Sequence, residues 1–250
     1  MIESQADTIC INSEQISPSN PYVIAEIGTN HNRNLEIAKE LIDAAGAAGV
    51  DAVKYQVYHS RDIVTEGIDA EEYGFEEYYD VETALEAYEE HLRTPREWFP
   101  TLFEYARERG LDNVATAHCP DCASFVADCG VDALKVASMD LTHIPLLSEL
   151  STYDLPLILS TGMGSLAEID QAVSALQDGS LQWLALLHCV SNYPADPADL
   201  NLRNISMLET AFDLPIGFSD HSKSPWTAGL AVAHGASIIE KHITLDSTYP

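Results

Sequence analysis

Lysine is scarce in this chain, and its few occurrences fall in unexpected places. The 250 residues include only five lysines, and three of them, Lys54, Lys135 and Lys241, lie inside short apolar runs typical of buried strands. A buried ammonium group is costly unless it meets an anion. Lys54 and Lys135 together are suited to binding a phosphate or a carboxylate as point charges.

Further polar residues occur near the ends of these apolar runs. They are Glu26, Gln56, Thr116, Ser138, Asp140, Ser160, Ser191 and Tyr193. Hydroxyl groups among them can support the two lysines as anion donors, and Gln56 lies on the same strand face as Lys54. Each residue alone has an ordinary explanation, such as hydrogen bonding within a turn. Their recurrence near one end of the strands favours a solvated functional cavity.

Two histidines end the last two predicted strands of the chain. His221 and His242 can bind one divalent cation whose remaining ligands are water and substrate oxygens. Glu240 shares a strand face with His242 and can support it, whereas Lys241 is predicted to face the helix layer. Such a metal ion acts most naturally as a Lewis acid on a carbonyl oxygen.

Eight apolar runs must position these residues. They are Tyr22–Gly28, Ala52–Tyr58, Asn113–His118, Ala133–Ser138, Leu155–Gly162, Leu184–Val190, Leu214–Asp220 and Ser237–Leu245. Short, nearly continuous apolar runs indicate parallel strands that are buried on both faces. Helical patterns lie between them, over Asn34–Gly49, over Thr94–Gly110 with Thr94 as the cap, and over Ser165–Gly179 with Ser165 as the cap.

Alternating strands and helices predict an α/β fold, specifically a TIM (β/α)8 barrel with its active site at the C-terminal ends of the strands. No G-x-G-x-x-G follows the first strand, which argues against a Rossmann sheet. We expect the barrel over residues 21–250, after an N-terminal extension of residues 1–20. The sequence stops at Pro250 shortly after the eighth strand, so the expected barrel lacks its final helix. The acidic, tyrosine-rich segment Arg61–Arg93 is predicted to be a lid-like insertion.

The net charge of −28, from 40 acidic and 12 basic residues, argues against nucleic acid or an anionic membrane as a partner. We find neither a signal peptide nor an apolar run long enough to span a bilayer, and therefore expect a soluble cytoplasmic protein. Dispersed acidic residues and scarce lysine favour adaptation to high salt. An acidic mesophilic enzyme is the alternative.

The five cysteines are an odd number in a chain without a secretion signal, so we expect free thiols rather than a disulfide framework. Cys119 and Cys122 form a C-x-x-C motif. A structural zinc site needs further ligands, which Cys129 alone does not supply. A thioredoxin-like redox role is a minor alternative.

Several stretches together resemble the sialic acid synthase family, which comprises N-acetylneuraminate synthases and their legionaminic acid, pseudaminic acid and spore-coat polysaccharide relatives. The stretches are IAEIGTNHNRNLEIAKELIDAAGAAGVDAVKYQ, LKVASMDLTHIPLL, LILSTGM, LLHCVSNYPAD, NLRNI, LPIGFSDHS and GASIIEKHITLD. They extend from about Tyr22 to the last residues. No single stretch is specific, but their combination is.

The resemblance implies a TIM-barrel enzyme that condenses phosphoenolpyruvate with the aldehyde of an N-acetylhexosamine, with Mn²⁺ or Mg²⁺ as cofactor. It further implies a homodimer in which a small C-terminal antifreeze-like domain, absent from this sequence, contributes an arginine to the partner's site. Carried over by motif, the catalytic residues are Glu26, Lys54 and Asp140, and the metal ligands are His221 and His242. The phosphoenolpyruvate contacts are Lys54, Thr116, Lys135, Ser138, Ser160 and Ser191, and the sugar contacts are Gln56, Asp140 and Tyr193.

The sequence also departs from the family pattern. The usual Ser-Thr-Pro-Phe turn after the third strand is replaced by Ala115–Asp121, and Ser191 stands where some relatives have Asn. Three alternatives stay open. One is a phosphoenolpyruvate–aldose synthase of the DAHP or KDO-8-phosphate type. The others are a class I aldolase that forms a Schiff base on Lys54 or Lys135, and a truncated barrel that binds its ligands without turnover.

Overall fold

The computed structural model of the chain describes residues 9–11 and 14–246. An antiparallel hairpin of β1 (Ile9–Ile11) and β2 (Glu14–Ile16) precedes eight parallel strands. The eight are β3 (Tyr22–Glu26), β4 (Ala52–Val57), β5 (Asp112–Ala117), β6 (Ala133–Val136), β7 (Leu157–Ser160), β8 (Leu184–Cys189), β9 (Ile216–Asp220) and β10 (Ile238–His242). They close into a barrel because β10 pairs with β3. Each predicted run supplies one of these strands, so the predicted α/β barrel is confirmed.

Helices lie between the strands and cover the outside of the barrel. They are α1 (Leu35–Ala48), α2 (Ser60–Ile63), α3 (Ala84–Ala87), α4 (Phe99–Arg107), α5 (Pro120–Asp128), α6 (Ile144–Leu150), α7 (Leu166–Gln177), α8 (Asn204–Phe212) and α9 (Thr227–Ala233). Their buried faces pack on the outward-facing strand residues and form the main core. The remaining inward-facing residues form a second, smaller core inside the barrel.

Two of the predicted helices have the expected ends. Asn34 caps α1 through its side chain, and Gly49 ends it at φ 74°, a left-handed conformation that glycine tolerates best. At α7, Ser165 and Glu168 form the predicted capping box.

The predicted cap at Thr94 is wrong. Helix α4 begins at Phe99, after a 3₁₀ turn over Arg96–Trp98. Thr94 is buried, and its Oγ1 lies 2.8 Å from His31 Nε2. Because this hydroxyl is engaged by a neighbouring loop, it does not cap the helix.

The expectation of free thiols is wrong for one pair of cysteines. Cys119 and Cys122 form a disulfide, whereas Cys10, Cys129 and Cys189 are free. Cys119 is the N-cap of α5, so the first turn of the helix brings Cys122 back to it, with 5.1 Å between their Cα atoms. That separation is ordinary for a disulfide.

The hairpin closes the N-terminal mouth of the barrel. Ile9, Ile11 and Ile16 are buried and join the inner core, and Trp183 Nε1 donates a hydrogen bond of 2.8 Å to the Cys10 carbonyl. The sequence predicted the N-terminal 20 residues only as an extension, because three isolated isoleucines gave no periodic signal. Residues 1–8 and 12–13 of that extension, and the end of the chain at Pro250, lie outside the described residues.

The predicted insertion connects β4 to α4 and contains α2 and α3. Between and after these helices it forms 3₁₀ turns at Ala70–Tyr73 and Phe75–Glu77 and a π-helical turn at Tyr88–Leu92. Its aromatic rings pack on one another, as in the stacked pair Tyr73 and Phe75 with 5.5 Å between ring centroids.

Within the described part of the chain, no helix is long and apolar enough to cross a membrane.

We expect Ile11→Ala to destabilise the barrel, because the Ile11 side chain is 1% exposed and fills the N-terminal end of the barrel interior. Loss of a buried isoleucine should lower the free energy of unfolding by about 3 kcal/mol, measurable by urea denaturation. Leu230→Ala, at a side chain that is 53% exposed, is the control. Equal stability of the two variants would show that the hairpin does not contribute to the core.

Candidate active site

A cavity of about 350 Å³ opens at the C-terminal ends of the barrel strands. The predicted site residues in its wall are Lys54, Gln56, Thr116, Lys135, Ser138, Ser160, Ser191, Tyr193, His221 and His242. They come from the seven strands β4 to β10 and the loops that follow them. The alternation of side chains along a strand explains the selection, because Lys54 and Gln56, like Glu240 and His242, are two residues apart.

Four buried charged residues form the floor of this cavity: Lys54, Lys135 and Glu240 line it, and the predicted Glu26 is paired with Lys54 but is not itself part of the lining. Lys54 Nζ forms an ion pair with Glu26 Oε2 and donates a hydrogen bond of 3.1 Å to Thr116 Oγ1. Glu240 Oε2 lies 3.7 Å from both Lys54 Nζ and Lys135 Nζ. Glu26 is fixed further by Gln56 Nε2, which donates to its Oε1 over 3.0 Å. Two cations therefore face two carboxylates in a water-poor setting.

The protonation of these groups follows from burial and charge. Burial opposes ionisation of Glu240, but Lys135 and Lys54 outweigh it and lower the pKa of this carboxyl group. Burial likewise opposes the charge of Lys54, but Glu240 and Glu26 raise its pKa. At Lys135 burial prevails, only partly offset by Glu240, and its pKa is lowered.

Lys135 is thus the less compensated cation. Within residues 14–246, its Nζ has only the long contact with Glu240 and no hydrogen bond. An anion entering the cavity would supply the missing partner.

Hydroxyl groups surround the lysines. Ser138 Oγ accepts a hydrogen bond of 3.0 Å from the Gly162 amide and lies 3.1 Å from Cys189 Sγ. Gly162 is required here, since a Cβ at this position would lie 2.6 Å from Cys189 Sγ and 2.8 Å from Ser191 Oγ. This close packing brings the ends of β7 and β8 together around Ser138.

The predicted histidine pair lies at the rim beside Tyr193. The ring centroids of His221 and His242 are 5.9 Å apart, and the ring of Tyr193 lies 4.0 Å from that of His221. His221 Nδ1 donates to the Val190 carbonyl over 2.8 Å, so Nε2 is the nitrogen without a proton in the neutral ring. Burial lowers the pKa of His221, which favours that neutral form.

The one hydrogen of the nearby Ser219 hydroxyl is already used. Ser219 Oγ donates to Glu240 Oε1 over 2.8 Å, so it cannot also donate to His221 Nε2 at 3.2 Å. The Nε2 lone pair of His221 is therefore available to a ligand in the cavity. This arrangement fits a divalent cation held by His221 and His242.

Asp140 lies behind the cavity wall rather than in it. His118 Nδ1 donates a hydrogen bond of 2.7 Å to Asp140 Oδ2, and His118 itself lines the cavity. The sequence placed His118 near the site, because it ends the third apolar run, Asn113–His118, and lies in the remodelled turn Ala115–Asp121. Ser219 and Tyr88 also line the cavity and were not predicted as site residues. The sequence held a signal for each, because Ser219 lies two residues before His221 and Tyr88 lies in the predicted lid-like insertion Arg61–Arg93.

Residues on the opposite strand faces turn outward. Lys241 Nζ donates to Asp220 Oδ2 over 2.7 Å, as expected for a side chain facing the helices. Asp220 also accepts hydrogen bonds from Ser222 and Thr227. His188, on β8, faces away from the cavity, with its Nε2 2.6 Å from the Leu200 carbonyl.

The sequence profile of the NeuB family matches residues 41–250. The chain belongs to the NeuB family. It is 36% identical to the N,N'-diacetyllegionaminic acid synthase of Legionella pneumophila, over 92% of this chain and 65% of that protein. It is 38% identical to an uncharacterized protein of Methanocaldococcus jannaschii, over 90% of this chain and 62% of that protein. This NeuB-family chain thus spans less than two thirds of the length of these curated relatives.

Solved structures agree with the family assignment. The N-acetylneuraminic acid (sialic acid) synthetase of Leptospira borgpetersenii, crystallised with citrate, superposes with a TM-score of 0.84 at 34% identity, covering 95% of this chain and 78% of that one. A truncated 3-deoxy-D-arabino-heptulosonate 7-phosphate synthase of Thermotoga maritima has a TM-score of 0.70 at 16% identity, covering 97% of this chain and 82% of that one. The second likeness shows a shared barrel fold alone.

We expect Glu240→Gln to destabilise the NeuB-family barrel most strongly near neutral pH. Removing the charge leaves Lys135 without its anion, at a cost of about 3 kcal/mol. Because the folded pKa of Glu240 is lowered, the stabilisation is complete above its unfolded pKa and is lost as the pH falls toward the folded value.

The stability difference between wild type and Glu240→Gln should therefore narrow as the pH falls below about 5. Urea denaturation at several pH values measures it. The exposed Glu149→Gln is the matched control and should track the wild type. A pH-independent difference would contradict the assigned ionisation of Glu240.

Proposed function

We propose that this chain condenses phosphoenolpyruvate with the aldehyde of an N-acetylated hexosamine, such as N-acetylmannosamine, to give a nonulosonic (sialic) acid and phosphate. The observation that carries the proposal is the under-compensated Lys135 beside Lys54 in the cavity floor, because it calls for an anionic ligand. Membership of the NeuB family, whose named members include acid-sugar synthases, supports the specific reaction.

In this proposal the phosphate and carboxylate of phosphoenolpyruvate bind the inner end of the cavity. Lys54 and Lys135 supply the positive charge, and Thr116, Ser138, Ser160 and Ser191 supply hydroxyl donors. Carbon 3 of phosphoenolpyruvate then attacks the aldehyde carbon, water adds at carbon 2, and phosphate leaves with cleavage of its C–O bond.

Glu26 is proposed to act beside the reacting carbons. Its carboxylate is paired with Lys54 and accepts a hydrogen bond from Gln56, so it keeps its orientation as the bonds change. Asp140 acts through His118, whose proton it holds on Nδ1 and whose Nε2 it thereby orients. This reverses the order expected from sequence, in which Asp140 itself met the sugar.

The sugar is proposed to extend toward the insertion. A second cavity of about 510 Å³ adjoins the first through Gln56, Tyr88 and Tyr193. Tyr73, Phe75, Tyr78 and Tyr79 line its outer part. Aromatic faces suit the apolar face of a sugar ring and the methyl of an acetamido group.

The proposed cofactor is Mn²⁺ or Mg²⁺, held by His221 and His242. When bound, such an ion would polarise the aldehyde oxygen as a Lewis acid. The free Nε2 lone pair of His221 supports this assignment. In keeping with the family resemblance, we also propose a cytoplasmic homodimer.

We expect Lys135→Met to weaken phosphoenolpyruvate binding about a hundredfold, because charge-assisted hydrogen bonds to the anion are lost. Calorimetric titration measures the affinity, and release of phosphate in the presence of N-acetylmannosamine and Mn²⁺ measures turnover. Methionine keeps most of the length of the lysine side chain and removes its charge. Lys39→Met, at an ion pair on the outer face of α1, should bind like the wild type.

Three results would count against the proposal. Unchanged affinity of Lys135→Met for phosphoenolpyruvate would show that Lys135 does not bind the anion. Binding of both substrates by the wild type without phosphate release would indicate a binding protein. Inactivation by borohydride with pyruvate would indicate a Schiff base on a lysine, a reaction for which the lowered pKa of Lys135 is suited.

We expect Mn²⁺ and phosphoenolpyruvate to bind cooperatively. The two lysines and two carboxylates of the floor cancel in charge, so the cation makes the cavity net positive. Phosphoenolpyruvate should bind about tenfold tighter with Mn²⁺ than after chelation. His221→Ala should abolish that gain, and the exposed His234→Ala should keep it. An unchanged gain in His221→Ala would place the metal elsewhere.

A further inference from the structure

The disulfide of Cys119 and Cys122 takes no part in the proposed condensation. It lies at the start of α5, beyond the residues that line the cavity. Cys119 is half-buried, whereas Cys122 is completely buried. A small thiol approaching from solvent therefore reaches the sulfur of Cys119 first, and the sulfur of Cys122 is the one that leaves.

We propose that Cys119 and Cys122 form a site of thiol–disulfide exchange, whose reaction partner is a low-molecular-weight thiol or a dithiol protein. The thiolate of the partner attacks Cys119 Sγ, forms a mixed disulfide and releases Cys122 as a thiolate. A second thiol of the partner then attacks the partner's sulfur in the mixed disulfide and releases Cys119 as a thiolate. Two partner thiols are oxidised to a disulfide while the protein disulfide is reduced to two thiols. Oxidation by a disulfide of the same class runs through the same steps in reverse.

Both sulfurs have donors that stabilise a thiolate. The Cys122 amide donates a hydrogen bond of 3.2 Å to Cys119 Sγ at the N-terminus of α5, where the helix dipole favours negative charge. Arg96 Nη2 donates to Cys122 Sγ over 3.5 Å. The leaving sulfur thus has a guanidinium group beside it.

Other charged groups face the same place. Asp121 Oδ2 accepts a hydrogen bond of 2.6 Å from Arg96 Nη2 and lies 2.9 Å from His59 Nε2. Asp121 therefore shares the positive charge of Arg96 but also anchors its guanidinium group beside Cys122. His59 Nε2, 3.3 Å from Arg96 Nη2, completes the cluster.

A metal site is the competing interpretation of this cluster. The ligand atoms of His59, Cys119, Asp121 and Cys122 all lie within 4.8 Å of one another. This supplies the additional ligands that the sequence did not indicate for zinc. However, Arg96 Nη2 contacts three of the four residues and so occupies the space between them. The arrangement favours sulfur exchange over metal binding.

The test counts protected cysteines in the full chain. After equilibration with oxidised glutathione and transfer into denaturant, which exposes the buried Cys122 and Cys189, Cys119 and Cys122 should resist alkylation while Cys10, Cys129 and Cys189 react, as read by peptide mass spectrometry. After dithiothreitol and the same transfer into denaturant, all five should react. Cys122→Ser should trap one glutathione on Cys119, whereas Cys129→Ser should behave as the wild type.

Arg96→Gln gives a second, kinetic measurement. Loss of the guanidinium group should slow reduction of the disulfide by dithiothreitol about threefold at neutral pH, because the leaving thiolate loses a partner. Arg61→Gln, at an exposed arginine paired with Glu66, should leave the rate unchanged. Thermal melting checks that both variants are folded.

Three outcomes would overturn the proposal. The first is failure of glutathione to protect the pair in the folded wild type. The second is preferential capture of glutathione by Cys122 in Cys119→Ser over Cys119 in Cys122→Ser. The third is one zinc ion bound per reduced chain, lost in Cys119→Ser, with thiols that then resist oxidation. None of these readouts depends on the proposed synthase reaction.

Discussion

The site depends on one buried arrangement of charge, in which Glu240 lies between Lys54 and Lys135 while Glu26 binds Lys54 from the other side. These four residues come from β3, β4, β6 and β10, so only a closed barrel brings them together. The decisive pairing is that of β10 with β3, which places His242 beside Glu26. Desolvation of each ion costs several kcal/mol, and the opposite charges offset most of that cost. Lys135 is offset least, and this imbalance makes the floor a place for an anion.

Much of this arrangement could be predicted from the sequence, because it follows from two simple periodicities. Short apolar runs separated by helical patterns indicated eight strands, and the structure confirms all eight. The two-residue period of a strand then placed Lys54 with Gln56, and Glu240 with His242, on inner faces and sent Lys241 outward to Asp220. A charged residue inside an apolar run, taken together with this period, therefore indicated which strand face lines the cavity.

What the sequence did not predict lacks such a period. The hairpin of β1 and β2 contributes only three buried isoleucines to the N-terminal end of the barrel. Its role becomes clear only when these side chains are seen to pack in the inner core. Thr94 is a residue type that often caps helices, but its hydroxyl instead contacts His31, 63 residues away in the sequence. The link between His118 and Asp140 joins two different loops. In each case a contact distant in sequence overrides a local preference, and no window of the sequence contains both partners.

The charge of the whole chain bears on how an anion reaches this floor. A net charge of −28 repels an anion such as the proposed substrate phosphoenolpyruvate at long range, whereas the charges of the cavity floor nearly cancel and would attract such an anion only at contact. Salt weakens the first effect far more than the second, because the Debye length shrinks from about 10 Å at 0.1 M to about 3 Å at 1 M while buried charges are little screened. High salt would therefore favour association in this protein rather than oppose it. Adaptation to high salt stays a prediction, but it agrees with a site whose cations are buried and whose surface is acidic.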